Sequence, residues 1–128
     1  MATKPKARAT LEDILASCSD VLFPESLGEA PVSLNSRASN GDTALHAVLW
    51  RDDTYAALTL IAAGADVNAV GDMSETPLHV AVKKRNLSVI EALLKAGADP
   101  LLKSEFDQSA KELAGAFGGD LKRLFDFN

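Results

Sequence analysis

"TPLHVA" at Thr76–Ala81 repeats, 33 residues on, the phrase "TALHAV" at Thr43–Val48. Two readings compete for that repetition. In one, His46 and His79 are metal ligands or catalytic groups. In the other, the phrase punctuates a structural unit. The local chemistry favours the second. Thr76 is a helix-capping residue type, and Pro77 suits a first helical position. Leu78, Ala81 and Val82 then fall at i, i+3 and i+4, one apolar stripe. Leu87, Ile90, Leu93 and Leu94 predict a second helix, which stops at Gly97, a residue able to turn left-handed past a helix end.

The same interval of 33 recurs beyond the two hexapeptides. "AAGADVNAV" at Ala62–Val70 aligns with "KAGADPLLK" at Lys95–Lys103, which sets Gly64 on Gly97 and Leu60–Ile61 on Leu93–Leu94. One further interval reaches Ser109 and "SAKELAGAFGG", where Glu112 replaces the histidine. One interval earlier lies Thr10, opening "TLEDILASC". A fixed period of this length marks a stacked repeat architecture, whose terminal units diverge because each must turn one face to water.

These residues resemble the ankyrin repeat, in period and in the Thr-Pro-Leu-His phrase. The likeness is strong over 40–102, weaker to Phe125, and faint over 10–35. It implies an all-α solenoid of stacked helix–turn–helix units with β-turn fingers: a flexible basic tail at 1–9, an N-terminal capping unit at 10–37, repeats at 38–70 and 71–103, and a C-terminal cap at 104–128. Gly71–Asp72 supplies the turn into a finger. Thr10-x-x-Asp13 reads as a capping box, and its helix, carrying Leu11, Ile14, Leu15 and Cys18, ends before Pro24. Pro24 to Pro31 breaks the second helix expected in that unit. Phe125 and Phe127 are expected to close the last helix.

Composition agrees with one small helical domain. Of 128 residues, 47% are apolar but only 5% aromatic, so the core must rest on Ala, Leu and Val. The net charge is −5, and Lys4, Lys6 and Arg8 leave −8 on the remainder. An acidic body repels phosphate backbones, which argues against nucleic acid as a partner. No apolar run reaches the roughly 18 residues of a transmembrane helix, and no membrane role is expected. The basic start lacks the apolar segment of a secretory signal. Cys18, the only cysteine, suits a reducing compartment, a cytoplasmic location, and the part of a buried inert thiol.

The histidines fit structure better than chemistry. Equivalent positions in stacked units sit roughly 10 Å apart, one interhelical spacing, whereas zinc holds its ligands near about 2 Å. The resemblance implies that His46 and His79 are structural, bonding the backbone between adjacent repeats, and that Thr43, Thr76 and Pro77 belong to the same structural motif. Asp52 and Asp53 are neighbours whose side chains diverge, unlike an acid–base pair converging on a reacting atom. Asp52 suits a turn instead. At the matching place stands Arg85, with Asn86 expected to take the left-handed conformation. No phosphate loop, nucleophile elbow or metalloprotease helix occurs, so neither catalysis nor a cofactor is expected.

The resemblance places partner contacts on finger tips and on the exposed ends of first helices. Finger positions are Ser39, Asn40, Asp42, Asp72, Met73, Glu75, Glu105, Phe106 and Gln108. Helix-end positions are Trp50, Arg51, Lys83, Lys84, Ala116 and Phe117. Exposed aromatic residues, Met and Arg are the types that anchor protein interfaces. The fingers are acidic and the helix ends basic, a division that sets a partner's register. The competing reading folds Trp50 back over a thin core and uses Phe106 and Phe117 to seal the cap, while the lysine–arginine cluster is simply solvated.

A protein-binding module, monomeric when free and acting as a small inhibitor, immunity-type or regulatory protein, is the expected function. A metalloprotein or enzyme built on the histidines, and a structural oligomer subunit, are the alternatives.

Overall fold

A computed structural model describes residues 9–126 of the chain. The basic tail expected at 1–9 falls almost wholly outside the described residues, as does Phe127. The elements are α1 (Leu11–Ser17), α2 (Ser19–Leu22), α3 (Ala44–Trp50), α4 (Thr54–Ala62), α5 (Pro77–Lys83), α6 (Leu87–Lys95), α7 (Ala110–Phe117) and α8 (Gly119–Phe125). No strand occurs among the described residues, only an isolated antiparallel bridge between Lys103 and Ser109.

The interval of 33 is written into the hydrogen bonding. Thr43, Thr76 and Ser109 each cap a first helix, accepting a bond from the backbone N–H three residues on, and each cap is reciprocated by the side chain at that third position. Each finger closes on one backbone bond: Ala38 to Asp42 O (2.8 Å), Gly71 to Glu75 O (2.8 Å) and Ser104 to Gln108 O (2.9 Å). Asp53 and Asn86 cap the second helices α4 and α6. Gly64 and Gly97 take φ of +97° and +98° just past those helices, where a side chain would be strained.

Packing builds two layers. The first helices α3, α5 and α7 pack side by side, and so do the second helices α4, α6 and α8. Leu78, Ala81 and Val82 of α5 are fully buried, as are Ile90 and Leu93 of α6. The stripe of α6 differs from the sequence expectation at its start. Leu87 is exposed, and Val89 takes the buried place, because Asn86 caps the helix and turns its first residue outward. Phe125 is buried and closes α8 against the core.

The N-terminal unit keeps its capping box, with Thr10 accepting from Asp13 N–H, but not the register of the repeats. Setting Thr10 opposite Thr43 predicts that α1 joins the first-helix layer. Instead α1 packs against α4 and α2 against α3. The cause lies in the sequence after Cys18: α2 has only four residues before Phe23, and Pro24 starts a single 3-10 turn over Pro24–Ser26. So short a second helix cannot cover α4, and α1 does. Burial pushes the Cys18 thiol up from its ordinary value, against the pull of Arg51, so the sulfur stays protonated and forms part of the core.

Candidate protein-binding surface

The two histidines are the rivets of the stack. His46 Nδ1 accepts the Thr43 N–H at 3.1 Å, which fixes the neutral tautomer and leaves Nε2–H to donate to Glu75 O at 3.0 Å across the repeat boundary. His79 repeats the arrangement, accepting from Thr76 N–H at 3.1 Å and donating to Gln108 O at 2.8 Å. Both rings are buried and both nitrogens of each are engaged. Glu112, at the third equivalent position, accepts the Ser109 N–H at 2.9 Å, and that bond holds its carboxyl below the ordinary range.

Burial lowers the pKa of His46 from 6.5, with the bond to Glu75 O opposing the shift. The unfolded chain takes up a proton near 6.5 while the folded ring stays neutral. Stability contributed here is therefore complete above that value and declines as pH falls below it. The melting temperature is expected to drop between pH 7 and pH 5, and to drop less steeply in His46→Gln. Equal slopes in the two proteins would show that His46 is not the titrating group.

The first-helix ends and fingers hold the side chains singled out from sequence, in unequal states. Trp50, at the end of α3, is 42% exposed, and the ammonium groups of Lys83 and Lys84 stand 5.8 Å and 5.7 Å from its ring centroid. Met73 is 47% exposed at the tip of the second finger, and its carbonyl accepts a bond from Glu105 N–H of the third. Phe106 is the most exposed aromatic residue of the fingers, while Phe117 is partly covered by the Arg85 guanidinium, 4.6 Å from its ring centroid. Asp42 joins fingers rather than standing free: its carboxylate accepts the Asp72 N–H at 2.8 Å.

Glu75 is not a surface carboxylate. It is buried, and it pairs with Lys83, tying the base of the second finger to the end of α5. A finger position was expected to be exposed, but Glu75 sits at the finger's return, below the tip. Arg51 also serves the fold, donating to Ser17 Oγ at 3.1 Å and Cys18 Sγ at 3.7 Å in the N-terminal unit. Two helix-end cations predicted for partners are thus committed within the chain.

The loops between first and second helices bring a second correction. The left-handed residues are Asp52, Arg85 and Gly118, at φ of +56°, +54° and +71°, and not Asn86. Asn86 must instead cap α6, accepting Val89 N–H while its amide donates to Asp52 Oδ1 (3.1 Å) and Thr54 Oγ1 (2.7 Å) of the preceding repeat.

Other braces escaped the sequence reading. Arg37 donates to Val70 O at 2.8 Å and Gly41 O at 3.2 Å. Asn68 accepts Asp99 N–H at 2.7 Å and donates to Gly97 O at 3.3 Å. Each joins one unit to the next across an interval near the repeat length, the one signal that could have singled them out.

A family model described as ankyrin repeats, in three copies, matches residues 14–104. The chain is 34% identical over 110 residues to human BCL-6 corepressor-like protein 1, covering 86% of this chain and 6% of that protein. It is 42% identical over 77 residues to human mitochondrial disaggregase, covering 58% of this chain and 11% of the relative. Protein lin-12 of Caenorhabditis elegans is 46% identical over 56 residues, 44% of this chain and 4% of its own length. The chain thus spans about a tenth or less of these relatives. Repeat period, reciprocal caps, histidine rivets and family match together establish that the chain belongs to the ankyrin repeat family, whose repeats are protein–protein interaction modules.

Proposed function

We propose that the chain is a non-enzymatic binding module that grips one protein partner through its finger tips and first-helix ends, in the manner of a small stoichiometric inhibitor, immunity-type or regulatory protein. The observation that carries this reading is Trp50, kept two-fifths exposed beside the ammonium groups of two lysines. A large flat side chain held in place by its neighbours loses little freedom on binding and supplies much contact area. Met73, Phe106 and Phe117 extend the apolar contact, with Asp72, Glu105 and Lys84 as the polar rim. No described helix is long and apolar enough to cross a membrane.

Capture of a partner from native extract tests the reading. Trp50→Ala is expected to weaken that partner's affinity by about tenfold or more, with Met73→Ala following, while folding is unchanged. Lys95→Ala on α6, in the second-helix layer, is expected to leave capture intact. Full capture by folded Trp50→Ala and Met73→Ala would overturn the proposal.

A further inference from the structure

The bound segment itself has a readable chemistry. Four side chains on three successive units make two cation–aromatic pairs in a row: Trp50 with Lys84, and Phe117 with Arg85, the two cations being neighbours in the chain. Lys83 is neutralised by Glu75, but Lys84 and Arg85 have no carboxylate partner among the described residues. In a chain of net charge −5, two neighbouring uncompensated cations flanked by two exposed aromatic rings are a local inversion of the surface.

Arg85 occupies this place against its backbone. Its φ of +54° strains a side chain; the equivalent positions are Asp52 at +56° one unit back and Gly118 at +71° one unit on. Beyond Arg85 the surface opens into a hollow of about 300 Å³, walled by Leu87, Phe117 and Leu121. Asp120 also lines it but is paired with Arg123. Leu87 and Phe117 are each 40% exposed. Leu87 and Phe117 give one side of this otherwise polar recess an apolar wall, and the Arg85 guanidinium stands at its edge, so it suits one apolar side chain next to one carboxylate.

We infer that this row docks an extended acidic peptide segment of the partner, in which carboxylates alternate with bulky apolar side chains. One apolar residue enters the hollow beside Phe117, its neighbouring carboxylates meet Arg85 and Lys84, and a second apolar residue lies on Trp50. Trp50 and Phe117 are two repeat spacings apart, roughly 20 Å, which about six extended residues span. The inference rests on the binding surface proposed above and specifies what that surface selects. A polyphosphate backbone meets the repulsion of the whole acidic domain, whereas a short peptide with few charges meets mainly the local cations.

Trp50 is the only tryptophan, so its fluorescence reports occupancy directly. The probes are a short synthetic peptide alternating glutamate with leucine and phenylalanine, its lysine-for-glutamate counterpart, its glutamine-for-glutamate counterpart, a single-stranded oligonucleotide, and phosphatidylserine vesicles. Saturable binding of the acidic peptide alone is expected, weakened by salt. Arg85→Gly relieves the left-handed backbone and is expected to fold at least as well as the parent, yet to bind the acidic peptide about tenfold more weakly. Lys84→Glu is expected to weaken it further.

No binding, equal binding of the lysine peptide, equal affinity in Arg85→Gly, or preference for the oligonucleotide or vesicles would each overturn the inference. Equal binding of the glutamine peptide, lost by Trp50→Ala in calorimetry but unaffected by Arg85→Gly, would remove the acidic specificity and leave the binding-module reading standing.

Discussion

Leu78→Ala and Leu93→Ala are each expected to lower the unfolding free energy by about 2–5 kcal/mol. Both side chains are fully buried, one on α5 and one on α6. The central repeat that carries them is packed on both sides: α5 against α3 and α7, α6 against α4 and α8. In a repeat protein, stability is close to a sum of weak units and the interfaces between them. A cavity in the central repeat loosens two interfaces at once, so its cost belongs at the upper part of that range. A domain of this size holds only about 5–15 kcal/mol in total, and either change removes a large share. Urea unfolding measures the effect through the midpoint, at unchanged slope. Leu101→Ala is the control: that side chain is 64% exposed, and its loss is expected to cost no more than about 0.5 kcal/mol. Wild-type midpoints in both core variants would mean that the helix stripes have been misplaced.

Those stripes show what a single sequence can disclose. Periodic features survive because each is a local necessity: a hydroxyl before the first helix, a histidine at its third position, a glycine after the second helix. Thr43 and Thr76 cap first helices, His46 and His79 bond the next unit's backbone, and Gly64 and Gly97 take positive φ past second helices. Side chains whose state depends on a neighbouring unit were not legible in the same way. Glu75 looked like a finger-tip acid until its pairing with Lys83 placed it inside. Asn86 looked free to turn left-handed, but a cap and two bonds to the preceding repeat hold it, and Arg85 takes the turn. The N-terminal unit misled for a third reason. Its capping box is genuine, yet a box fixes only where a helix starts, and the layer α1 enters is decided by the shortness of α2. For the candidate surface, sequence supplied the residue types, and geometry separated the cations already spent, Arg51 and Lys83, from those still uncompensated.

Gly71→Ala is expected to cost about 3 kcal/mol, although its backbone gives no reason for glycine. With φ of −103° and ψ of −150°, the position is open to any residue. Space is the constraint. A Cβ here would lie 2.3 Å from Asp42 Oδ1 and 2.7 Å from His46 Nε2. The Asp42 carboxylate ends a short, half-buried side chain and can swing away, surrendering its bond to Asp72 N–H. His46 has no such freedom, since its ring is buried and held at both nitrogens. A methyl group displaces Nε2 from Glu75 O and leaves a buried imidazole donor without a partner, while Glu75 O keeps only the Gly71 N–H. The third finger shows why crowding is peculiar to this site. Its equivalent position is Ser104, which carries a Cβ, and the residue matching Asp42 is Glu75, whose carboxylate is drawn off to Lys83. Asp42→Ala combined with Gly71→Ala removes the nearer obstruction and is expected to cost less than the two single changes summed, the mark of a shared steric cause. A thermal melt of the four proteins measures that coupling. Strict additivity would mean that Gly71 serves the finger in some way other than leaving room for the histidine rivet.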